Sequence, residues 1–331
     1  MIITIGAFDG FHRGHVRLLE EAQRLAGPSG ESWGAVTFHP HPGVFLGFLE
    51  ATLFTGRERE LIRRFLNIPG LFILQFDRAL QELPPEAFWR RLKTAFQRHG
   101  MNIGGVVMGR DFRFGLDQKG TAESLSAACR AEGLSAVILE LFEQDKTRCS
   151  STGARRAVAS GDVRRAAEVL GYPWFLWSRV VRGNQRGRTL GFPTANLELA
   201  GGKVLPAPGV YAAALPIEGR WHAGALSVGD NPTFGDVHET RAELFILDFN
   251  GDLYGTFLPV LLLDRLRPMT RFPDGQSLAA QIERDVSQCR ELCQQELEAR
   301  PEFFSSFARC VEAMTAEGPF VPDIWRLDDA D

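Results

Sequence analysis

The chain has 331 residues, of which 44% are hydrophobic and 24% are charged, and its formal net charge is −4. These values are typical of a soluble globular protein with room for two domains, each with its own core. No block of lysine or arginine suggests a nucleic-acid surface, and the longest apolar runs, such as residues 258–263, are far too short to span a membrane.

Residues 1–5 lead directly into a motif and do not resemble a cleavable signal, so we expect a cytoplasmic protein that binds neither membrane nor nucleic acid. The five cysteines are odd in number and include no CxxC pair. They therefore predict neither a disulfide framework nor a structural zinc site.

The first half of the chain alternates short apolar runs with helical periodicity. Buried parallel strands are predicted at residues 1–5, 34–38, 104–108 and 136–139. Helices are predicted after residue 12 and over residues 57–66, 84–99 and 121–132. This alternation predicts a doubly wound α/β domain with its ligand site at the carboxyl ends of the strands.

The first strand-to-helix corner, residues 6–15, contains three glycines and two histidines. Backbone N–H groups at the start of a helix can bind an anion, and the imidazoles of His12 and His15 can add partial positive charge. A lone histidine would more simply be a polar turn residue, but this clustering favours a site for nucleotide phosphates. The corner is not a Walker loop, because it lacks the Gly-Lys-Ser/Thr ending. Three further loops, at 38–42, 109–115 and 150–155, are predicted to converge on it.

The pattern changes after about residue 172. Strands are predicted near residues 174–182, 209–215, 221–228, 241–249 and 256–265, separated by Gly, Asn and Pro turns. Such short, regularly spaced strands predict a small antiparallel barrel, followed by a helix over 276–297. We expect domains at 1–171 and 172–297 and an extension of unknown role at 298–331.

Two features of this second half could carry chemistry. Glycines at 183, 187 and 191 would let the backbone approach phosphates, and the oxygens of Thr194 and Asn196 could complete a magnesium shell. A capped, glycine-rich hairpin is the alternative. Glu243 interrupts a hydrophobic strand, and by spacing alone it would more often be a solvent-facing residue.

Together these motifs closely resemble those of the bifunctional prokaryotic riboflavin kinase/FAD synthetase family. The family pattern GxFDGxHxGH is matched from Gly6 to His15, the PHP loop by residues 40–42, DFRFG by residues 111–115, and GRxLGFPTAN by residues 187–196. The resemblance spans about residues 2–285. It implies an HxGH-type nucleotidyltransferase domain followed by a six-stranded flavokinase barrel. It also implies two reactions: ATP phosphorylates riboflavin to FMN, and a second ATP adenylylates FMN to FAD.

The resemblance implies roles for individual residues. Glu243 would be the base of the kinase step, Thr194 and Asn196 would hold Mg²⁺ and ATP phosphate, and His12, His15 and Arg155 would neutralise charge during adenylylation. Phe112 and Phe114 would contact a flavin or adenine ring, although such a pair is as often part of a core. The full set of implied binding residues is Gly6, Phe8, Asp9, Gly10, Gly14, His41, Asp111, Phe112, Phe114, Ser150, Ser151, Thr152, Gly183, Gly187, Arg188, Gly191, Pro193, Thr194, Asn196 and Arg267.

The loop at 149–155 departs from the family pattern. Cys149 stands where an aliphatic residue is usual, and Gly153-Ala154-Arg155 replaces an Arg-Ile-Arg-like triplet, so one arginine is missing. Two alternatives to the two-step enzyme therefore stay open. One is a riboflavin kinase with a degenerate adenylyltransferase module, and the other is a flavin-binding regulator without turnover. We expect small-molecule substrates and a monomer or weak homo-oligomer.

Overall fold

The computed structural model describes residues 1–27, 30–140, 142–144, 147–183, 192–230, 240–317 and 325–327. Residue contacts divide the chain into two compact units. The first contains residues 1–52 and 62–151 together with the described residues 325–327, and the second contains residues 53–61 and the chain from 152 onward. Residues 152–171 thus group with the second unit, and the domain boundary at 171/172 stays a prediction.

The first unit is built on a six-stranded parallel sheet. The strands of this sheet are β1 (Ile2–Ile5), β2 (Trp33–His39), β3 (Leu71–Gln75), β4 (Gly105–Gly109), β7 (Ser135–Leu139) and β16 (Trp325–Arg326). The unit also has two small antiparallel hairpins. One pairs β5 (Arg113–Phe114) with β6 (Gly120–Thr121), and the other pairs β8 (Glu143–Gln144) with β9 (Thr147–Arg148). The helices are α1 (Arg13–Ala26), α2 (Pro42–Phe45), α3 (Gly56–Phe65), α4 (Arg78–Gln81), α5 (Pro85–Arg98) and α6 (Ala122–Ala131), and α3 begins in the second unit.

The strand order is β16-β3-β2-β1-β4-β7, with β1 paired in parallel to β2 and β4. Both faces of β1 are covered, because Ile3 and Ile5 join one core cluster while Ile2 packs with Ala22 and Ala26 of α1 in another. This confirms the predicted doubly wound α/β architecture. The sequence prediction missed β3 and β16.

Helix ends in this unit follow local chemistry. His12 caps α1 by accepting a hydrogen bond from the backbone of His15, and α5 begins with Pro85 in its first turn. Thr121 and Ser124 form a reciprocal capping box at the start of α6. These caps agree with the predicted helix starts to within a residue or two.

The second unit contains a closed barrel. Its elements are α7 (Ser151–Ser160), whose first residue belongs to the first unit, α8 (Val163–Leu170), β10 (Phe175–Val181), β11 (Thr194–Leu197), β12 (Gly209–Ile217), β13 (Arg220–Asp230), β14 (Thr240–Ile246), β15 (Phe257–Pro268), α9 (Gly275–Ala299) and α10 (Pro301–Ala316). Six strands close in the order β10-β11-β14-β13-β12-β15, and each neighbouring pair is antiparallel. The predicted six-stranded antiparallel barrel is confirmed.

Two helices that follow the last barrel strand belong to the same unit. Helix α9 packs against β12 and β13, and every residue of β12 is buried. Helix α10 lies in the extension of unknown role and buries Phe304, Phe307, Val311 and Met314. Trp221 of β13 meets Phe304 edge to face at 4.8 Å. Residues 301–316 are therefore part of the barrel unit.

Residues 53–61, the inserted segment, also belong to the barrel unit. The Glu58 carboxylate of this segment accepts hydrogen bonds from the backbone N–H groups of Trp177 and Thr55, each at 2.7 Å. It also forms an ion pair with Lys203 at 2.7 Å. Lys203 also donates to the Leu53 carbonyl at 2.9 Å, and its ammonium lies 4.5 Å from the Trp174 ring centroid. The segment is thus tied to the barrel by a buried polar network.

Two expectations concern thiols and membranes. All five cysteines lie in the described residues, and none of them forms a disulfide. Of the helices in that part of the chain, none has the length and apolarity needed to traverse a lipid bilayer.

Candidate active sites

A cavity of about 860 Å³ opens at the carboxyl edge of the parallel sheet in the first unit. Residues at the ends of β1, β2, β4 and β7 line it, which is where ligands bind in doubly wound sheets. The sequence-predicted residues that line the cavity are Gly6, His12, Gly14, His15, Asp111, Phe112, Phe114 and Ser150. The motifs at 6–15, 109–115 and 150 therefore meet at one site.

The two histidines form the polar end of this cavity. Their rings stack with centroids 3.7 Å apart, and the edge of Phe8 meets His15 at 4.9 Å. His12 is only 7% exposed, and its Nδ1 accepts from the backbone N–H of His15 at 3.4 Å. A Cβ at Gly14 would lie 3.1 Å from the His12 ring and 3.5 Å from the Cys149 carbonyl, so glycine keeps this corner tight.

Other predicted residues stabilise the 6–15 corner but do not line the cavity. Phe8 is fully buried and adopts a positive φ of 45°, and Gly10 has a φ of 92° that favours glycine. The hydroxyl of Ser151 donates to the carbonyl of the buried Asp9 at 2.7 Å. These residues order the loop beside Ser151 without lining the cavity.

Aromatic side chains form the apolar wall of the cavity. Phe112 stacks on Phe114 with centroids 5.4 Å apart, and Phe88 packs on Phe114 at 5.3 Å. Phe114 is 7% exposed and belongs to the core, while Phe112 is half-buried. Sequence reasoning missed Phe76 and the exposed Phe48, which also line the cavity. The position of Phe76 directly after β3 was the available signal.

Three further predicted residues of this group are not among those that line the cavity. His41 caps α2 by accepting from the backbone N–H of Gly43 at 3.0 Å, and its neighbour Pro42 lines the cavity. Arg155 and Thr152 belong to α7 within the second unit, where the guanidinium donates to the Thr152 hydroxyl at 3.1 Å.

A second constellation lies on the barrel. Glu243 of β14 stands directly opposite Asn196 of β11, and Thr194 occupies the same face two residues earlier. The opposite face of β14 is buried through Ala242 and Leu244. The Thr194 hydroxyl donates to a Glu243 carboxylate oxygen at 3.5 Å, which is the outer limit of a hydrogen bond.

Gly183, just after β10, explains how Asn196 is held. A Cβ at Gly183 would collide with the side-chain amide of Asn196, so the amide rests directly on the glycine backbone. Pro193 is exposed beside this face. The predicted residues Gly187, Arg188 and Gly191 lie outside the described residues.

Arg267, another predicted binding residue, pairs with Asp285 of α9. Its guanidinium donates from Nε at 3.0 Å and from Nη2 at 2.9 Å to the same carboxylate oxygen, and Gln281 donates to the other oxygen at 2.9 Å. Asp285 is 2% exposed. The contacts of Arg267 within the described structure join β15 to α9, and the ligand role of Arg267 stays a prediction.

Two family models match the chain. A model described as FAD synthetase matches residues 1–153, and one described as riboflavin kinase matches residues 170–293. The two matches correspond to the two halves in which the candidate sites lie.

Curated relatives match over most of their length. The bifunctional riboflavin kinase/FMN adenylyltransferase of Listeria monocytogenes is 31% identical over 295 residues, covering 87% of this chain and 91% of the relative. The Escherichia coli K12 protein of the same name is 32% identical, covering 88% and 92%. A solved Streptococcus pneumoniae structure described as a macrolide-efflux protein matches with a TM-score of 0.78 and 34% identity, covering 87% and 93%.

Proposed function

We propose a catalytic site in each unit of this chain, which belongs to the bifunctional riboflavin kinase/FMN adenylyltransferase family. The chain phosphorylates riboflavin to FMN with ATP and adenylylates FMN to FAD with a second ATP. We assign adenylylation to the cavity around His12 and His15. We assign phosphorylation to the face of the barrel that carries Thr194, Asn196 and Glu243.

The adenylylation step needs charge neutralisation more than a base. The nucleophile is the FMN phosphate, whose second pKa of about 6 leaves it largely ionised near neutral pH. One of its oxygens attacks the α-phosphorus of ATP, a new P–O bond forms, and pyrophosphate leaves. The stacked imidazoles of His12 and His15 and the backbone N–H groups at the start of α1 would stabilise the charge on the ATP phosphates.

Both substrates would bind in this cavity of about 860 Å³. Its histidine end suits phosphates, while Phe76, Phe88, Phe112 and Phe114 provide an apolar wall for the flavin or adenine ring. The observation that supports this assignment best is the convergence of three separate sequence motifs on one cavity at the carboxyl edge of the sheet.

The kinase step does need a base. The ribityl hydroxyl of riboflavin is barely acidic, so a carboxylate placed to accept its proton assists attack on the γ-phosphorus of ATP. Glu243 would accept that proton as the new P–O bond forms and ADP leaves. The pairing of Glu243 with Asn196 across the strands, with Thr194 on the same face, is the observation that carries this assignment.

The same face suits a hard divalent cation. The hydroxyl of Thr194 and the amide oxygen of Asn196 are the oxygen donors that Mg²⁺ prefers, and Gly183 allows the amide to lie close to the backbone. Bound there with ATP, Mg²⁺ would neutralise phosphate charge. Thr194 and Asn196 would also orient the phosphates toward Glu243.

A product assay tests both assignments. Purified protein is incubated with Mg²⁺ and ATP and either riboflavin or FMN, and the flavins are separated by chromatography. We expect FMN and FAD from riboflavin, and FAD from FMN. FMN that accumulates without FAD over long incubation would contradict the adenylylation site, and flavin binding without any product would contradict both.

A single substitution tests the base. Glu243→Gln should reduce FMN formation by roughly 10²-fold or more, because the amide cannot accept the proton, while FAD formation from supplied FMN continues. Glu198→Gln, at an exposed glutamate just after β11, is the matched control and should keep both activities. Undiminished FMN formation by Glu243→Gln would contradict the assignment.

A further inference from the structure

Strand β16 completes the sheet of the first unit beside β3. Trp325 pairs in parallel with Phe72, and Arg326 pairs with Ile73. The N–H of Leu327 then donates to the carbonyl of Ile73 at 2.9 Å. Since β2 occupies the other side of β3, these residues satisfy backbone groups that would otherwise form the edge of the sheet.

Leu327 is also a core residue of this unit. It is 1% exposed and packs in the same hydrophobic cluster as Phe72 and Leu74 of β3. Several members of that cluster line the proposed adenylylation cavity as well: Ile5, Phe38, Leu80, Phe88 and Phe114. The packing of Leu327 is therefore continuous with the apolar wall of the cavity.

Strand β3 leads directly into this wall. Phe76 follows its last residue and donates its N–H to the carbonyl of His39 at the end of β2, at 2.9 Å. The Phe76 ring meets Phe38 at 5.8 Å and Phe45 at 5.5 Å, edge to face in both cases. The position of β3 thus sets the position of an aromatic ring in the cavity.

We propose that Leu327 is a positioning residue for FMN adenylylation. By fixing β3 between β2 and β16 it holds Phe76 and the apolar wall in place for the flavin ring. The proposal rests on the proposed function, which places FMN in this cavity. Leu327 itself lies in the core and acts through β3 and Phe76.

The test compares Leu327→Ala with Leu327→Met in the full chain. Truncation to alanine leaves a void beside β3, whereas methionine keeps the volume. For Leu327→Ala we expect faster amide hydrogen exchange in residues 71–76 and a KM for FMN in FAD synthesis raised roughly threefold or more, with kcat changed less. Leu327→Met should restore both values.

Met314→Ala is the matched control, because it truncates a buried side chain of α10 in the barrel unit. It should leave the exchange of residues 71–76 and the KM for FMN unchanged. The KM for riboflavin should be unchanged in Leu327→Ala. Leu327→Val, a smaller truncation, replaces Leu327→Ala if that variant does not fold.

Two results would overturn the proposal: unchanged exchange in residues 71–76 of Leu327→Ala, or faster exchange with an unchanged KM for FMN. A parent protein that forms no FAD at all would instead contradict the proposed function. Exchange does not depend on turnover, so the two failures are distinguishable.

Discussion

At the scale of single residues, His12 has two separable tasks. Its Nδ1 caps α1, and its ring, stacked on His15, faces the cavity proposed for ATP and FMN. The cap orders the start of the helix whose backbone N–H groups would meet the phosphates. A variant that keeps the cap and removes the imidazole can therefore distinguish stability from catalysis.

His12→Asn is such a variant, because asparagine is among the best N-cap residues. We expect near-normal thermal stability, a fall of roughly 10²-fold in FAD formation from FMN, and unchanged phosphorylation of riboflavin. Differential scanning calorimetry and the two product assays measure these quantities. FAD formation at the parent rate would contradict a role for the imidazole in adenylylation.

At the scale of elements, the inserted segment depends on a buried charge pair. The side chains of Glu58 and Lys203 are 1% and 2% exposed, and the carboxylate has three hydrogen-bond donors. Removal of one partner would leave the other charge buried without its counter-charge. Such a loss is costly even where the intact pair contributes little net stability.

Lys203→Met should therefore lower the free energy of unfolding of the barrel unit by about 3–5 kcal/mol. The double variant Lys203→Met/Glu58→Gln should lose less than the sum of the two single variants, since it leaves no buried charge. Urea titration followed by tryptophan fluorescence measures these values. Lys119→Met removes the cation of an exposed ion pair with Asp117 and should have little effect. Additive single and double variants would contradict this account.

Helix α9 should make the barrel unit sensitive to alkali. Burial raises the pKa of Cys289 to about 12 and that of Cys293 to about 11, from an ordinary value of 9.0. The folded chain then retains these protons at pH values where the unfolded chain has released them. Their contribution to stability is complete below about pH 9 and is lost as the pH rises through 11 to 12.

Thermal unfolding between pH 8 and pH 11 tests this effect. The parent Tm should fall as the pH rises, and Cys289→Ala/Cys293→Ala should show a shallower slope even though truncation lowers its Tm at every pH. The comparison of slopes removes the cost of the truncation. Parallel slopes would show that these thiols do not titrate on unfolding.

Local sequence patterns predicted most of the elements because those elements have strong periodicity or clear caps. Helices α3, α5 and α6 begin and end within one or two residues of prediction, since each has an amphipathic pattern. Strand β16 has two residues and depends on pairing with β3, so no local pattern could reveal it. The pairing of Glu58 with Lys203 is hidden in the same way, because 145 residues separate the partners.

The candidate sites were predictable where a motif is compact in sequence. The 6–15 corner predicted the polar end of the cavity, and the 194–196 stretch with Glu243 predicted one face of the barrel. Phe76 was missed because its strand was missed. The resemblance implied a binding role for Arg267, whereas its pairing with Asp285 arises from packing between β15 and α9.

At the scale of the whole molecule, neither unit is continuous in sequence. The barrel unit includes residues 53–61 from the first half of the chain, and the α/β unit includes residues 325–327 from beyond the barrel. The family models match two consecutive stretches, 1–153 and 170–293. A cut between those stretches therefore does not separate the two structural units.

A division at residue 171/172 tests this arrangement. Fragment 172–331, expressed alone, should unfold at a lower temperature than the barrel does in the full chain, because Lys203 and Trp174 lose their contacts with residues 53–61. Expression together with fragment 1–171 should recover much of that loss. Tryptophan fluorescence during heating measures the transition, and an unchanged midpoint for fragment 172–331 alone would contradict the prediction.

The pairing of β3 with β16 also has a consequence for biosynthesis. About 250 residues separate the two strands. At roughly 5–20 residues per second, a ribosome therefore needs about 12–50 s to reach β16 after it has completed β3. During that interval the nascent α/β sheet has β3 as its outer strand, with its backbone groups open to other chains. Chaperones that act on nascent chains would meet this sheet before its last strand exists.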